Sequence, residues 1–346
     1  MVTNSLLKIF FEIVRLGMWG NNGEPPCVSL GRDDWKRLFA LAHSQSVTGL
    51  FVDGVVCLAT KPDNDIWDRW IAHLCYMERA NRYIAARGDR WLKLLAEEGM
   101  QAAVFKGSSV AAWYRNPLHR SFGDIDIVVT DGWERLNAAI AKCGALMQRS
   151  DEREIVLQEE NNLFIEIHNR WEYLYNPLTN ARLQKLCNDG MTNEMYFVAL
   201  VLHIQRHFLT YGIGLKQIYD IAAMLHNATL DHKKVAWLLR HLHARKFSRL
   251  LFGFVESHIG AVGSYPLEPI AQGASFDLFE KVILHEGYNL KMEQELRAGQ
   301  RSKQIARIAH NARFWAKRCF RLAGIVPGEA CCFLCHKIYK RLTFAL

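Results

Sequence analysis

Two aspartates one residue apart, Asp124 and Asp126, stand among Ile125, Ile127, Val128 and Val129. Side chains of an extended strand alternate between its faces, so both carboxylates share one face while Ile125, Ile127 and Val129 turn to a core. Adjacent carboxylates repel, and a divalent cation relieves the repulsion; oxygen ligands of this kind suit Mg²⁺ or Mn²⁺. For a bare Asp-x-Asp, a polar strand face at a sheet edge is the plainer reading. The run Phe164-Ile165-Glu166-Ile167-His168 repeats the pattern, with Ile165 and Ile167 on one face and Glu166 and His168 on the other. If the two strands are neighbours, three acids converge. That set suits two ions clamping the attacking and leaving oxygens of an in-line phosphoryl displacement. Taken alone, Glu166 also fits an exposed strand acid.

Ahead of the aspartates lies Lys106-Gly107-Ser108-Ser109, read as the end of one strand and the opening of a short helix. Glycine lets a backbone approach a phosphate closely, and helix-start N–H groups and serine hydroxyls bind its oxygens. Lys106 and Arg120 add positive charge suited to a triphosphate. The same residues also read as a plain helix N-cap. The spacing is not that of a Walker P-loop.

The elements that must position these residues follow from periodicity. Residues 3–17, 33–60 and 65–97 recur at helical spacing, so 1–100 form an N-terminal helical region. Short apolar runs at 102–105 and 124–130, a helical segment at 132–143 and a hairpin from 153–159 to 163–169 around Glu160-Asn161-Asn162 give an α/β core over 101–180 with about four strands. Residues 181–346 return to helical periodicity, broken near 260–274 and 324–328. The fold class expected is α+β: a small mixed sheet with flanking helices, an N-terminal helical region and a larger C-terminal one.

A Gly-Ser turn, an Asp-x-Asp among apolar residues and a later strand acid together resemble the DNA polymerase beta-like nucleotidyltransferase superfamily. Phe105-Lys106-Gly107, Arg120 before Asp124-Ile125-Asp126-Ile127, and Ile165-Glu166-Ile167-His168 look more closely like the bacterial uncharacterised nucleotidyltransferases, which in turn resemble nucleotidyltransferase toxins of abortive-infection systems. Leu202-His203, His207 and Gly214 to Ile221 are similar to that family's helical segment. The resemblance is good over roughly residues 100–230 and looser in the flanking helices. It implies transfer of a nucleoside monophosphate from an NTP to an acceptor hydroxyl, with Mg²⁺ or Mn²⁺ as two ions. It also implies roles: Gly107 and Ser108 at the β- and γ-phosphates, Asp124 and Asp126 as ligands of both metals, Glu166 as ligand and proton acceptor, and Lys216 facing the nucleotide. The gap from Ser108 to Asp124 exceeds that of the smallest superfamily members, which an inserted turn at 114–119 explains. The acceptor stays open: tRNA or other RNA, a protein, or a small molecule such as a sugar. Two other readings stand beside this one. A glycosyltransferase would use Asp124 and Asp126 but leave Lys106–Ser108 and Glu166 without a role. A non-catalytic nucleotide-binding regulator would keep the fold without turnover.

The chain has 346 residues, half of them hydrophobic and a quarter charged, which excludes disordered and low-complexity classes. Its net charge of +8 is uneven. From Arg297 onward, eleven Lys/Arg face the single acid Glu329, so that tail carries +10 and the preceding 296 residues −2. RNA, an anionic membrane surface or an acidic partner would meet such a tail, and a solvated helix face would look the same. Phe314, Trp315 and Phe320 lie among its cations, as an RNA- or lipid-facing helix or an inward-packed amphipathic one would have them. Nine cysteines in no disulfide spacing and an N-terminus interrupted by Lys8, Glu12 and Arg15 point to reduced thiols and a cytoplasmic location. No apolar run is long enough to span a membrane. His203 and His207, four apart on a helix, and Cys331-Cys332 with Cys335-His336 each suggest a metal only weakly; structural or phosphate-facing histidines and ordinary thiols are the plainer readings.

Overall fold

The computed structural model describes residues 4–143, 145–260, 262–286 and 304–343. The chain divides into two compact units, Met1–Trp171 and Glu172–Leu346.

In the first unit, α1 (Asn4–Trp19), α2 (Arg32–Ser44), α3 (Thr48–Val56) and the long α4 (Asn64–Glu97) precede the sheet. The expected N-terminal helices are all present, and the 33–60 segment is divided at residues 45–47. The sheet comprises β1 (Gln101–Val104), β2 (Ile125–Asp131), β3 (Leu146–Ser150), β4 (Glu154–Gln158) and β5 (Phe164–His168), ordered β1-β2-β5-β4-β3. Only β2 and β5 run parallel; every other pairing is antiparallel. The fold is thus the mixed α+β arrangement expected, with one strand more than the sequence suggested. That strand, β3, is an edge strand exposed along its whole length. Leu146-Met147-Gln148-Arg149-Ser150 carries no alternation because neither face is buried, so periodicity had nothing to report.

The core face of the sheet is built in rows. Ile125, Ile165 and Leu157 stand side by side, as do Ile127, Ile167 and Ile155. Trp91 and Leu95 of α4 and Leu136, Ala139 and Ile140 of α6 (Leu136–Cys143) close over them. The opposite face of β2 is covered as well: Val128 and Asp126 are buried. Trp91 Nε1 and Arg87 Nε donate to Glu159, just beyond β4, at 2.8 and 2.7 Å, fixing α4 to the sheet's edge loop.

The second unit is helical where described. It contains α7 (Pro177–Asn188), α8 (Asn193–Leu209), α9 (Leu215–Asn227), α10 (His232–His241), α11 (Arg245–Phe254) and α12 (Ala274–Lys281), followed by helices Gln304–Leu322 and Pro327–Thr343. Of the basic tail, 297–303 and 344–346 lie outside the described residues. Within the described part, Trp315 and Arg318 are buried, and Arg318 Nε donates to Leu209 O at the end of α8 at 2.8 Å. Part of the tail's basicity therefore serves to cap a helix. Phe320 is exposed. No helix among the described residues is long and apolar enough to cross a membrane.

Candidate active site

Lys106 and Gly107 follow β1 with φ of +68° and +51°, and Gly107 has ψ −121°. Side chains are disfavoured there, so glycine is the residue that allows the turn. Ser109 closes it, its N–H and hydroxyl donating to Lys106 O at 3.0 and 2.7 Å. The helix that opens is a single turn, α5 (Ser108–Ala111), with Ser108 half-buried at its start. Phe105 N–H still pairs with Asp126 O at 2.9 Å, which keeps the turn beside β2. The reversed backbone at Lys106 aims its side chain back over the sheet. Its Nζ lies 2.9 Å from Asp126 Oδ1.

The parallel register pairs Asp126 with Glu166 and Val128 with His168. Adjacent in-register strands carry paired residues on one face, so Asp126 and Glu166 are neighbours, with His168 two residues on. His168 Nε2 is 3.2 Å from Asp126 Oδ1 and 3.6 Å from Glu166 Oε2, while Nδ1 is 3.4 Å from Glu154 Oε2. One ligand atom from each of Asp126, Glu166 and His168 lies within 4.8 Å of the others. Among the described residues this is the one grouping of metal-ligating side chains so placed. Its oxygen-rich donors fit a hard divalent cation, and the imidazole extends the fit toward Mn²⁺.

The electrostatics show a surplus of negative charge. Burial alone would push the Asp126 carboxyl up, but Lys106 and His168 outweigh it and hold Asp126 well below the usual carboxylate range. Glu166 goes the other way: burial, Asp126 and Asp124 raise it, with His168 and Lys106 compensating only in part. One carboxylate is neutralised and its neighbour is not, which is the condition a bound cation corrects.

Asp124 stands one residue before β2, exposed in a bend, and is outside the three-residue group. Its charge nonetheless reaches Glu166. Arg120 is buried; its guanidinium donates to Ser121 O at 3.2 Å and lies 6.0 Å from the centre of the Phe122 ring. The segment carrying it is gripped by α4. Asn81 Nδ2 donates to Leu118 O and Arg120 O at 2.7 and 2.8 Å, and Asn81 Oδ1 accepts from Phe122 N–H at 3.3 Å. His119 bridges Asp53 and Glu78 at 2.8 and 2.9 Å. Burial opposes its protonation, yet the two carboxylates prevail and raise its pKa. Lys216 belongs to the second unit, half-buried at the second position of α9, with Asp220 buried one turn on.

Two residues of the first unit join the predicted set. His168 shares the face of Glu166, as strand alternation indicates, but its proximity to Asp126 depends on the register. Glu154 sits opposite His168 on β4 and gives no sign of this in its local sequence. The histidine pair His203 and His207 is structural in its observed contacts: His203 Nδ1 is 2.8 Å from Glu172 Oε2, and the two rings lie 4.2 Å apart.

Comparison with known proteins supplies one match. A family model described as uncharacterised nucleotidyltransferase covers residues 31–260. Neither a curated protein nor a solved structure matches the chain.

Proposed function

Since this chain belongs to the uncharacterised nucleotidyltransferase family, we propose that it transfers a nucleoside monophosphate from an NTP to an acceptor hydroxyl by metal-dependent chemistry. The observation that carries this reading is the pairing of Asp126 with Glu166 across parallel strands, with His168 completing a three-donor cluster. In the reaction the acceptor oxygen bonds to the α-phosphorus, the bond from that phosphorus to the bridging oxygen breaks, and pyrophosphate leaves.

Asp126, Glu166 and His168, joined by Asp124 from its exposed position, would hold one or two Mg²⁺ or Mn²⁺ ions. Bound there, the metal supplies charge stabilisation for the phosphoryl oxygens. The chain supplies the rest. Gly107 and Ser108 present a turn that the β- and γ-phosphates can approach closely. Lys106 neutralises Asp126 in the free protein, and a triphosphate offers its ammonium an anionic partner in exchange. Glu166 accepts the proton of the acceptor hydroxyl. Arg120 and Lys216 remain proposed phosphate contacts. The acceptor hydroxyl belongs to RNA, a protein or a small molecule.

The test incubates purified protein with each labelled NTP and Mg²⁺ or Mn²⁺, adding total tRNA or cell lysate in turn. Label is followed into RNA, protein and small molecules, with Asp124→Ala/Asp126→Ala as control. Label transferred by the wild type and absent from the control supports the reading and identifies the acceptor class. Metal-dependent NTP binding without transfer would instead assign a regulatory nucleotide-binding role.

A further inference from the structure

Within the second unit, Arg182 of α7 and Trp237, Arg240, His241 and His243 in and after α10 line an open pocket of about 340 Å³. Trp237 is 52% exposed, unusual for the largest side chain. Its indole is stacked on His241, ring centres 4.8 Å apart and planes 11° from parallel. One face of the indole is thereby fixed by a neighbour at helical i,i+4 spacing, and the ring is held as a platform.

The charge around this platform is of one sign. No acid lines the pocket. Arg182 Nη1 donates to His241 O at 3.4 Å and lies 3.2 Å from His243 Nε2, neither of them a carboxylate. Neither Arg182 nor Arg240 is paired with a carboxylate among the described residues. Elsewhere in the protein exposed arginines do find acids, as Arg32 does with Asp63 and Asp65. His243, which Arg182 contacts, is held at φ +54°. A non-glycine residue in that region is strained, and such strain persists where the surrounding structure fixes it. The neighbouring sequence adds cations: Lys233, Arg245 and Lys246 flank the pocket residues, while Lys234 is paired with Glu194 at 3.0 Å, and Asp231 is the one acid from 231 to 249.

We infer that this pocket binds single-stranded nucleic acid, an unpaired base stacking on Trp237 and adjacent phosphates meeting Arg182 and Arg240. A nucleotide offers both things the pocket is equipped to take, a flat π face and an anion. A free nucleotide fits less well, because small-molecule sites enclose most of their ligand and this one is open. A bilayer fits less well because Trp237 is the one large apolar side chain lining the pocket. The inference concerns binding and does not depend on the transfer reaction.

The experiment measures fluorescence anisotropy of a labelled oligoadenylate about ten nucleotides long, within the usual site size of single-strand binders, with the full chain and without NTP or metal. Ribo- and deoxyribo-oligomers form separate arms, so binding in either supports the inference and names the sugar. Trp237→Ala should weaken binding about tenfold or more, in the range of one lost base–aromatic stack, while Trp237→Phe retains most of it. Arg240→Gln should lower the slope of log affinity against log salt by about one. Both side chains are exposed, and circular dichroism checks that the variants fold. The inference is overturned if the wild type binds neither oligomer, if Trp237→Ala and Arg240→Gln bind like the wild type, or if a duplex of the same sequence binds equally well. Binding to phosphatidylserine vesicles that these substitutions abolish, with the oligomers unaffected, would overturn it in favour of a membrane.

Discussion

Asp126 and Glu172 each lie buried against a basic side chain and a histidine, yet the two surroundings differ in what they leave over. Around Glu172, Arg206 Nε donates to Oε1 at 2.7 Å, and Arg206 Nη2 and His203 Nδ1 lie 3.3 and 2.8 Å from Oε2. Arg206 also packs on Tyr173, its guanidinium 4.5 Å from the ring centre. Burial would lower the Arg206 pKa, but Glu172 overcomes it and raises it further. Charge meets charge and both carboxylate oxygens are bonded. Around Asp126 the same types of partner, Lys106 and His168, face a second carboxylate, Glu166, that they do not neutralise. The first arrangement also has a second carboxylate, Glu329, raised by burial and Glu172, but the N–H groups of Tyr175 and Asn176 donate to it at 2.7 and 3.0 Å. In the second, Asp126, Glu166 and His168 bring ligand atoms within 4.8 Å of one another. A buried ion pair alone therefore does not mark a site; ligand atoms converging beside one do.

The comparison yields graded tests. Asp126→Ala should reduce nucleotidyl transfer by about a thousandfold or more, because the metal contributes several kcal/mol of charge stabilisation. The same substitution should abolish Mn²⁺ binding followed by electron paramagnetic resonance. His203→Ala should leave Mn²⁺ binding intact; loss there would erase the distinction between the two regions. Glu172→Gln should act on stability, lowering the free energy of unfolding by about 3–5 kcal/mol, since it strips a buried arginine of its partner. Denaturant melts with and without Mn²⁺ check this, and rescue by the metal would contradict it. Gly107→Ala forces a side chain into a strained turn and should cost about 1–3 kcal/mol. If the turn contacts phosphates, the KM for NTP rises as well.

The smallest effect separates the regions by pH. Glu166 has a raised folded-state pKa, so in metal-free protein its charged form opposes folding. That penalty is absent below the unfolded carboxylate value, about 4.3, and is fully present above the folded one. Glu166→Gln should therefore raise Tm slightly in chelator at neutral pH, with the gain disappearing as pH falls toward 4, and Mn²⁺ should reverse the order by stabilising only the wild type. A Tm gain that does not vary with pH would show that Glu166 carries no excess charge.

Much of this was legible in the chain. Alternation placed Ile125, Ile127 and Val129 on a core face, and a single Glu-Asn-Asn break located the hairpin of β4 and β5, because each signal spans a few residues. Asp124 was less legible. Period two put it with Asp126, but the strand begins at Ile125 and leaves Asp124 in the preceding bend. Arg120 reads as a phosphate contact from its charge and from the family resemblance; the structure buries it, on a segment whose carbonyl accepts from Asn81, 39 residues earlier in the chain. Trp237 and Arg240 carry no site signal in their local sequence, and the structure sets them in one pocket with Arg182.

The sequence by itself determined residue types, strand faces, the Gly107 turn and the uneven distribution of charge, since these follow from local backbone geometry and composition. Only the tertiary structure decided that β5 lies parallel to β2 with Glu166 level with Asp126, that Lys106 turns back onto that pair, and that Glu172 instead closes with Arg206 and His203. Pairing between distant segments is chosen by the burial of whole faces, and no short window of sequence contains that information.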